Sequence, residues 1–199
     1  RFDDPPPGSP LAAADRIYGD VGSDTIYGGA GPDQVFALRG DDLVYAGRDD
    51  DVVHAGSGND RVYGGDGNDE LYGNAGDDLL VGQVGDDDLG GDAGRDLLWG
   101  GAEMIPLVEF LVGGFESDGV SPQAVRGLSL DGELTDGWDV LQGGADSDWL
   151  FGGGGQDRLD GGDGDDYVDG GQGNDFAQGG AGADFVRGGN QDDLLRGGS

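Results

Sequence analysis

The order of hydrophobic and polar residues along this chain repeats every nine residues. Residues 28–36 read GGAGPDQVF, and residues 64–72 read GGDGNDELY. Position eight of the unit is Ile, Val or Leu in fifteen of sixteen copies, with Ala177 as the exception. Positions seven to nine alternate as a strand with one buried face does, whereas positions one to six are rich in Gly and polar residues. Each unit therefore predicts a six-residue turn and a three-residue strand whose position-eight side chain points inward.

The repeat divides the chain into four segments. Nine units run without insertion or deletion from 19 to 99, and six more run from 143 to 196. The sixteenth unit is split into 100–102 and 137–142. We predict an N-terminal linker or arm at 1–14, a first half of the solenoid at 15–102, an insert at 103–136 and a second half at 137–199.

Position six of the unit is Asp in every copy. These residues are Asp24, Asp33, Asp42, Asp51, Asp60, Asp69, Asp78, Asp87, Asp96, Asp139, Asp148, Asp157, Asp166, Asp175, Asp184 and Asp193. Two units make one coil of 18 residues, and stacked coils bring Asp residues 18 positions apart close together. We therefore predict an all-β fold, a right-handed parallel β-roll solenoid of about eight coils, in which neighbouring carboxylates repel unless a cation lies between them.

Composition narrows the possible functions. Gly supplies 47 of the 199 residues, and 42 acidic residues against 10 basic ones give a net charge of -32. That charge argues against binding to nucleic acid or an anionic membrane surface, and no apolar run reaches the ~18 residues that span a bilayer. The absence of Cys and the single His54 exclude disulfides and zinc sites built on thiolates or several His ligands.

Two alternatives remain for so acidic a chain. It is either disordered, or it has a fold in which bound cations replace part of the hydrophobic core. A disordered low-complexity chain would not place Asp at position six and an aliphatic residue at position eight of sixteen units. The pattern favours the cation-bound fold.

These units resemble the RTX, or haemolysin-type, calcium-binding nonapeptide GGxGxDxUx. The resemblance implies calcium ions in the turns, each held between units n and n+2. One turn would supply carbonyls from positions two and four, the next would supply them from positions one and three, and both would supply the Asp carboxylate. Up to about fourteen Ca²⁺ ions would then reduce the net charge from -32 to about -4. A site rich in carbonyls should prefer calcium to magnesium.

The turns differ in how well they fit this pattern. Leu38 follows Ala37 in the third turn, and Asp49 replaces the position-four Gly of the fourth. Other non-Gly residues at positions two and four are Asp20, Asn74, Gln83, Asp92, Asp146 and Gln191. Non-Gly residues at positive φ cost about 1–2 kcal/mol, so we expect weaker sites there. The cleanest turns lie at 64–69 and from 143 onward.

Aromatic residues recur at the positions that face outward. They occupy position nine in the first half, at Tyr18, Tyr27, Phe36, Tyr45, Tyr63, Tyr72 and Trp99, and position seven in the second, at Trp149, Tyr167, Phe176 and Phe185. They form either an exposed sheet face or a docking surface for the insert, another domain or a partner. His54, at position nine, is interpreted as a surface strand residue and not as a ligand.

The insert is the most apolar part of the chain. Residues 104–115 read MIPLVEFLVGGF, and 127–134 read GLSLDGEL, which predicts a short hairpin with an Asp-Gly turn. The insert is either a loop folded back over the roll or a contact site for another chain.

The function stays open between two hypotheses. We find no Ser/His/Asp set, HExxH motif or phosphate loop, and expect no enzymatic activity. The first hypothesis is a secreted, extracellular or cell-surface bacterial structural module, such as an adhesin or fibre component, that folds on binding calcium. The second is the calcium-folded C-terminal repeat region of a type I-secreted enzyme or toxin. No carbohydrate or cell-surface partner follows from the sequence.

The two ends of the repeat array are complementary. Residues 15–18 fit the strand half of a unit, and residues 197–199 fit the turn half. Stacking the last coil of one copy on the first coil of another would complete both, which predicts head-to-tail self-association into filaments. Alternatively, the ends are complementary only because the boundaries of this sequence fall arbitrarily within the repeat array.

Overall fold

The computed structural model describes residues 13–101 and 138–199. The insert predicted at 103–136 and residues 1–12 of the predicted arm lie outside the described residues. Every regular element of the described ranges is a β-strand. These ranges contain no helix long and apolar enough to cross a membrane.

The strands are longer than the repeat alone predicts. They are β1 (Arg16–Tyr18), β2 (Thr25–Ala30), β3 (Gln34–Arg39), β4 (Leu43–Arg48), β5 (Val52–Ser57), β6 (Arg61–Asp66), β7 (Glu70–Ala75), β8 (Leu79–Val84), β9 (Asp88–Ala93), β10 (Leu97–Trp99), β11 (Val140–Ala145), β12 (Trp149–Gly154), β13 (Arg158–Asp163), β14 (Tyr167–Gln172), β15 (Phe176–Ala181), β16 (Phe185–Asn190) and β17 (Leu194–Arg196). Complete strands span six residues, so the prediction of three-residue strands is wrong. The parallel pairing continues through positions one to three, as the pairing of Gly47 with Gly65 shows. Only positions four to six remain for the turn.

The strands form two parallel sheets, each built from every second unit. The odd sheet has the order β1-β3-β5-β7-β9-β11-β13-β15-β17, and the even sheet runs from β2 through β4, β6, β8, β10, β12 and β14 to β16. Paired residues are 18 positions apart, as in Val44 and Val62. Across the insert, Leu89 pairs with Leu141, so the insert does not shift the register. The predicted all-β parallel roll of stacked 18-residue coils is confirmed.

A single stack of aliphatic side chains fills the space between the sheets. Position-eight residues such as Val35, Leu80 and Leu150 are completely buried in it. The stack also includes Ala177, and Val186 packs against it. Each coil contributes only two position-eight side chains, which is little apolar burial for 18 ordered residues. Other interactions must therefore stabilise the coils.

Stacked aromatic rings cover part of both outer faces. On the odd sheet, Tyr18, Phe36, His54 and Tyr72 form a row with neighbouring ring centroids 4.9–5.3 Å apart. His54 lies in β5 on this face, as predicted for a surface strand residue. On the even sheet, the rings of Tyr27 and Tyr45 stack at 5.2 Å. Such contacts between adjacent coils add to strand pairing.

The two alternatives for the outer aromatics apply to different parts of the molecule. Tyr18, Tyr27 and Tyr45, in the first coils, are exposed. In the middle of the even sheet, Trp99 and Trp149 are buried. They belong to a second apolar cluster with Leu79, Val81, Leu97, Phe151 and Tyr167. An exposed sheet face therefore describes the first coils and not the middle of the even sheet.

Candidate metal sites in the turns

The sixteen repeat Asp residues occupy one equivalent place in the fold, directly before a strand. Because consecutive units alternate between the sheets, these residues form two rows, one along each edge of the roll. Asp24, Asp184 and Asp193, near the ends of the roll, are half-buried. The remaining thirteen, at most 3% exposed, are Asp33, Asp42, Asp51, Asp60, Asp69, Asp78, Asp87, Asp96, Asp139, Asp148, Asp157, Asp166 and Asp175.

One carboxylate oxygen of each buried Asp accepts a hydrogen bond from the preceding coil. The backbone N–H of Asp33 donates to Oδ1 of Asp51 at 2.7 Å, and that of Asp148 donates to Oδ1 of Asp166 at 2.9 Å. The contact also joins the coils on either side of the insert, where the N–H of Asp96 donates to Oδ1 of Asp148 at 2.8 Å. These bonds fix the orientation of each carboxylate and leave Oδ2 for another partner.

The second carboxylate oxygen has no hydrogen-bond partner. Buried Oδ2 atoms without a donor belong to Asp33, Asp42, Asp51, Asp60, Asp69, Asp78, Asp87, Asp96, Asp139, Asp148, Asp157, Asp166, Asp175 and Asp184. A buried and unpaired charged oxygen is costly. A proton or a cation beside each carboxylate would offset this cost.

In the thirteen units that begin with Gly, Oδ2 of the Asp faces a small space beside that first Gly. A Cβ built on Gly152 would lie 2.5 Å from Oδ2 of Asp157 and 2.5 Å from the carbonyl oxygen of Gly170. Side chains do not tolerate such contacts, so Gly at position one keeps this space open. The carboxylate of the same unit and a carbonyl oxygen of the next coil both point to this space. Oxygen donors of these two kinds are the ligands that calcium prefers.

Backbone oxygens must complete any metal site in these turns. Within 13–101 and 138–199, no group of three or more His, Cys, Asp or Glu side chains is close enough to hold a metal ion. Such an arrangement suits calcium, which accepts many carbonyl ligands in flexible geometry, better than magnesium or zinc. The residues present therefore fit the calcium expected from the sequence.

Burial raises the pKa of the row carboxyls. The pKa is raised to about 8 for Asp148, to about 7 for Asp51, Asp60, Asp78 and Asp96, and to about 6 for Asp69, Asp166 and Asp175. Burial is the main cause in each case, and the hydrogen bond from the preceding coil opposes it. The negative charge of a neighbouring coil adds to the rise, as Asp78 does for the pKa of Asp60. Without a cation, these carboxyls hold protons more strongly than ordinary Asp.

Most of the irregular turns have the backbone geometry expected from their sequence. Leu38 has φ 84° and Asp49 has φ 74°. The other non-Gly residues at positive φ are Asn74, Gln83, Asp92, Asp146 and Gln191. The prediction is wrong for Asp20, which does not have positive φ. It lies beyond the end of β1, where strand pairing does not constrain it, and its N–H donates to Oδ2 of Asp24 at 3.0 Å.

Position one of the unit also contributes to the core, which the sequence analysis missed. Ala37, Ala46 and Ala55 occupy this position in three consecutive units, and all three are buried in the aliphatic stack. Because the strands continue through position three, alternation places position one on the same inner face as position eight. Because equivalent positions of the repeat have equivalent places in the fold, the methyl groups of these Ala residues occupy the space that Gly leaves open in other turns.

Stacked parallel coils with Gly-rich turns and buried carboxylates define a calcium-binding β-roll. The family model for the RTX calcium-binding nonapeptide repeat, in four copies, matches residues 11–35, 27–62, 54–89, 63–98, 134–168 and 169–199. These matches cover well over half of the chain, which therefore belongs to this family. No match was found among curated proteins. The resemblance predicted from the sequence is confirmed, and the chain is a calcium-binding β-roll module.

Proposed function

We propose that this chain is a structural module that folds when calcium binds between its turns, and that it works outside the cell. The observation that carries the proposal is the two rows of buried Asp residues whose Oδ2 atoms have no hydrogen-bond donor. The thin aliphatic stack does not offset the cost of burying so many carboxylates. A divalent cation beside each carboxylate removes that cost and joins adjacent coils.

We assign the sixteen repeat Asp residues as calcium ligands, together with backbone carbonyls of the turns. In fourteen of these residues the buried Oδ2 accepts no hydrogen bond, which supports up to about fourteen ions. Asp24, Asp184 and Asp193 directly precede β2, β16 and β17, and each of these strands has a neighbouring strand on one side only among the described residues. We expect these three to bind calcium most weakly.

The charge of the chain supports folding outside the cell. A net charge of -32 keeps the metal-free chain extended by self-repulsion. Extracellular calcium modules bind at roughly 10⁻⁴–10⁻³ M, which is above cytosolic calcium concentrations. The chain therefore stays unfolded before export and folds when it meets external calcium, in a bacterial surface or secreted protein.

The larger role has two candidates. The first, an adhesin, surface-layer or fibre component, is favoured because the buried carboxylates of the described part, apart from Asp169, all belong to the repeat turns. The second is the C-terminal repeat region of a type I-secreted enzyme or toxin. The intact mass of the native protein separates them, since a catalytic domain in the same polypeptide supports the second.

Self-association by stacking of coils is a further part of the proposal. On β17, Leu194 and Leu195 are exposed, although Leu195 has the position-eight place that is buried in other coils. A further coil stacked on β17 would cover it. Sedimentation in calcium tests whether a second copy supplies that coil: growth of the particle with concentration supports self-association, and a constant 20.2 kDa monomer contradicts it.

A calcium titration followed by circular dichroism tests the proposed function. We expect a metal-free chain without β structure, a β-rich spectrum at millimolar calcium, and little response to the same concentration of magnesium. Calorimetry on the same samples gives the number of ions bound. An unchanged β spectrum in excess chelator at neutral pH contradicts the proposal.

A further inference from the structure

One row of outer-face residues on the even sheet changes from exposed at Tyr27, through half-buried at Tyr63, to buried at Trp99. Position nine of successive strands in this sheet includes Tyr27, Tyr45, Trp99 and Phe151. Tyr27 and Tyr45 are 57% and 38% exposed, whereas Trp99 and Phe151 are 4% and 2% exposed. All four have a strand of the same sheet on one or both sides, so neighbours within the sheet do not explain the difference. Something must lie above the sheet at Trp99 and Phe151.

The buried part of this surface is here named the covered face. It comprises Leu79, Val81, Leu97, Trp99, Trp149, Phe151 and Tyr167, which form one apolar cluster. It spans four adjacent strands, β8, β10, β12 and β14. The described ranges consist of the two sheets and their turns, and none of these elements lies over the covered face.

Two buried polar atoms indicate that the covered face receives a polypeptide. The indole Nε1 of Trp99 has no acceptor, and Oδ1 of Asp169 has no donor. Asp169 is next to Phe151 in the position-nine row, and its Oδ2 accepts a hydrogen bond from Arg187 at 3.0 Å. A peptide backbone offers both missing groups, a C=O for the indole and an N–H for the carboxylate.

We propose that the covered face is a docking site for the chain's own segment 103–136, and that its apolar run 104–115 lies on the face. The segment leaves the roll after β10 and returns just before Trp138, in the turn that precedes β11, so it begins and ends between β10 and β11, at the border of the covered face. Four strands measure about 14 Å across, and twelve extended residues reach about 40 Å. The run is therefore long enough to cross the whole face.

Composition and tethering favour this segment over a second copy of the chain. The run 104–115 contains one charged residue, Glu109, among its twelve residues, so it matches an apolar face. A tethered segment also has a high effective concentration at the face, which a second copy lacks.

Photo-crosslinking identifies the occupant directly. p-Benzoylphenylalanine replaces Phe151 in the full chain in calcium, with the same substitution at the exposed Tyr27 as the matched control. We expect position 151 to cross-link within one molecule to peptides from 103–136, and position 27 to give no such product. Cross-links from position 151 between two molecules, or the absence of any to 103–136, would overturn the proposal.

Deletion of 103–136 tests the same proposal by exposure. It joins Ala102 to Gly137 and creates the intact unit GGAGWDVLQ, so the roll keeps its register. A Trp138→Phe background leaves only Trp99 and Trp149 as fluorophores. We expect the deletion to retain the calcium-dependent β spectrum while acrylamide quenching rises severalfold and the emission shifts to the red. Unchanged quenching would show that another occupant covers the face.

A point variant keeps the test valid if the deletion does not fold. Leu107→Asp with Phe110→Asp places two charges in the apolar run, and Val125→Asp with Val120→Asp places two charges elsewhere in the segment as the matched control. We expect greater quenching of Trp99 and Trp149 only in the first variant. Equal quenching in both variants would contradict docking through 104–115.

Discussion

The turns of the first coils and those of the later coils use the same interior position differently. In the first coils, Ala37, Ala46 and Ala55 place methyl groups in the aliphatic stack. In the later coils, Gly152 and Gly161 leave that position open beside an unpaired Asp oxygen. We infer that apolar burial and a cation compete for the same small space. We infer that the first coils depend more on their hydrophobic contacts, and the later coils depend more on calcium.

Removal of calcium should have the largest effect and should separate the two regions. Chelation removes the charge compensation from every turn, so we expect nearly all β structure to be lost at neutral pH. In a calcium titration followed by hydrogen exchange, β12 to β16 should lose protection at a higher calcium concentration than β4 to β6. If both regions lose protection at the same calcium concentration, the roll unfolds as a single cooperative unit.

Acidification should restore part of the metal-free roll. The pKa of Asp51 and Asp60 is raised to about 7, and that of Asp166 and Asp175 to about 6, above the ordinary value of about 3.9. The folded state therefore binds more protons, and its stability rises as pH falls from about 8 toward about 4. That stability is lost again as pH rises through 6 to 7.

Hydrogen exchange in chelator measures this recovery. We expect amides of both halves of the roll to regain protection as pH falls from 8 to 5. In the presence of calcium, acidification should instead destabilise the roll, because protons compete with the ion for the carboxylates. The calcium concentration at the midpoint of folding should therefore rise as pH falls. A metal-free chain equally unfolded at pH 5 and pH 8 would contradict this prediction.

Loss of a single carboxylate should cost more in a Gly-rich turn. Asp166→Ala removes an oxygen between intact turns and should weaken two calcium sites, with a cost of about 3 kcal/mol in the calcium-bound state. Asp42→Ala, in the turn with Ala37 and Leu38, should cost clearly less. Thermal unfolding in calcium compares the two variants, and equal losses would contradict the ranking of the turns.

Exchanging Gly and Ala at position one tests the competition itself. Gly161 does not have positive φ, so Gly161→Ala changes mainly the space beside Oδ2 of Asp166 and should lower calcium affinity. Ala46→Gly should raise affinity locally, while it removes about 0.8 kcal/mol of methyl burial. Calorimetric titration measures both changes. Affinities that move in the same direction would show that this space does not control binding.

The smallest expected effect is a gain in stability at one strained turn. Leu38 has φ 84° and is 47% exposed, so its side chain contributes little burial. Leu38→Gly should stabilise the calcium-bound roll by about 1 kcal/mol, because Gly adopts this conformation without steric cost. A matched substitution, Val84→Gly at a position with ordinary φ, should not stabilise the roll. Chemical unfolding in calcium compares the two.

The nine-residue phase is sufficient to predict the sheets, the register and the places of the Asp residues. It works because side-chain alternation and coil stacking depend only on spacing, so Asp33 and Asp51 are adjacent in the fold. The length of the strands was harder to predict, because two consecutive Gly residues are typical of a turn. Pairing with the coils on both sides makes Gly47 part of a strand, although its φ of 130° is one that Gly adopts readily and other residues do not.

The burial of the outer aromatics could not be predicted from the repeat. Tyr27 and Trp99 have the same position in their units, and alternation places both on the outer face of the even sheet. Their exposures differ because burial there depends on what lies above the sheet. A periodic pattern carries no information about that third layer.

The alternation of units between two sheets also limits how the gene can change in length. Unequal recombination between similar repeats adds or removes multiples of 27 bases. A change of one unit keeps every Asp and every inward aliphatic residue in place, but it moves all later strands to the opposite sheet. Trp149 and Tyr167 would then no longer continue the surface that contains Leu97. Only the gain or loss of whole 18-residue coils keeps every later strand in its own sheet and preserves this surface. Selection on the outer face would therefore retain changes in length of whole coils and remove changes of a single nonapeptide.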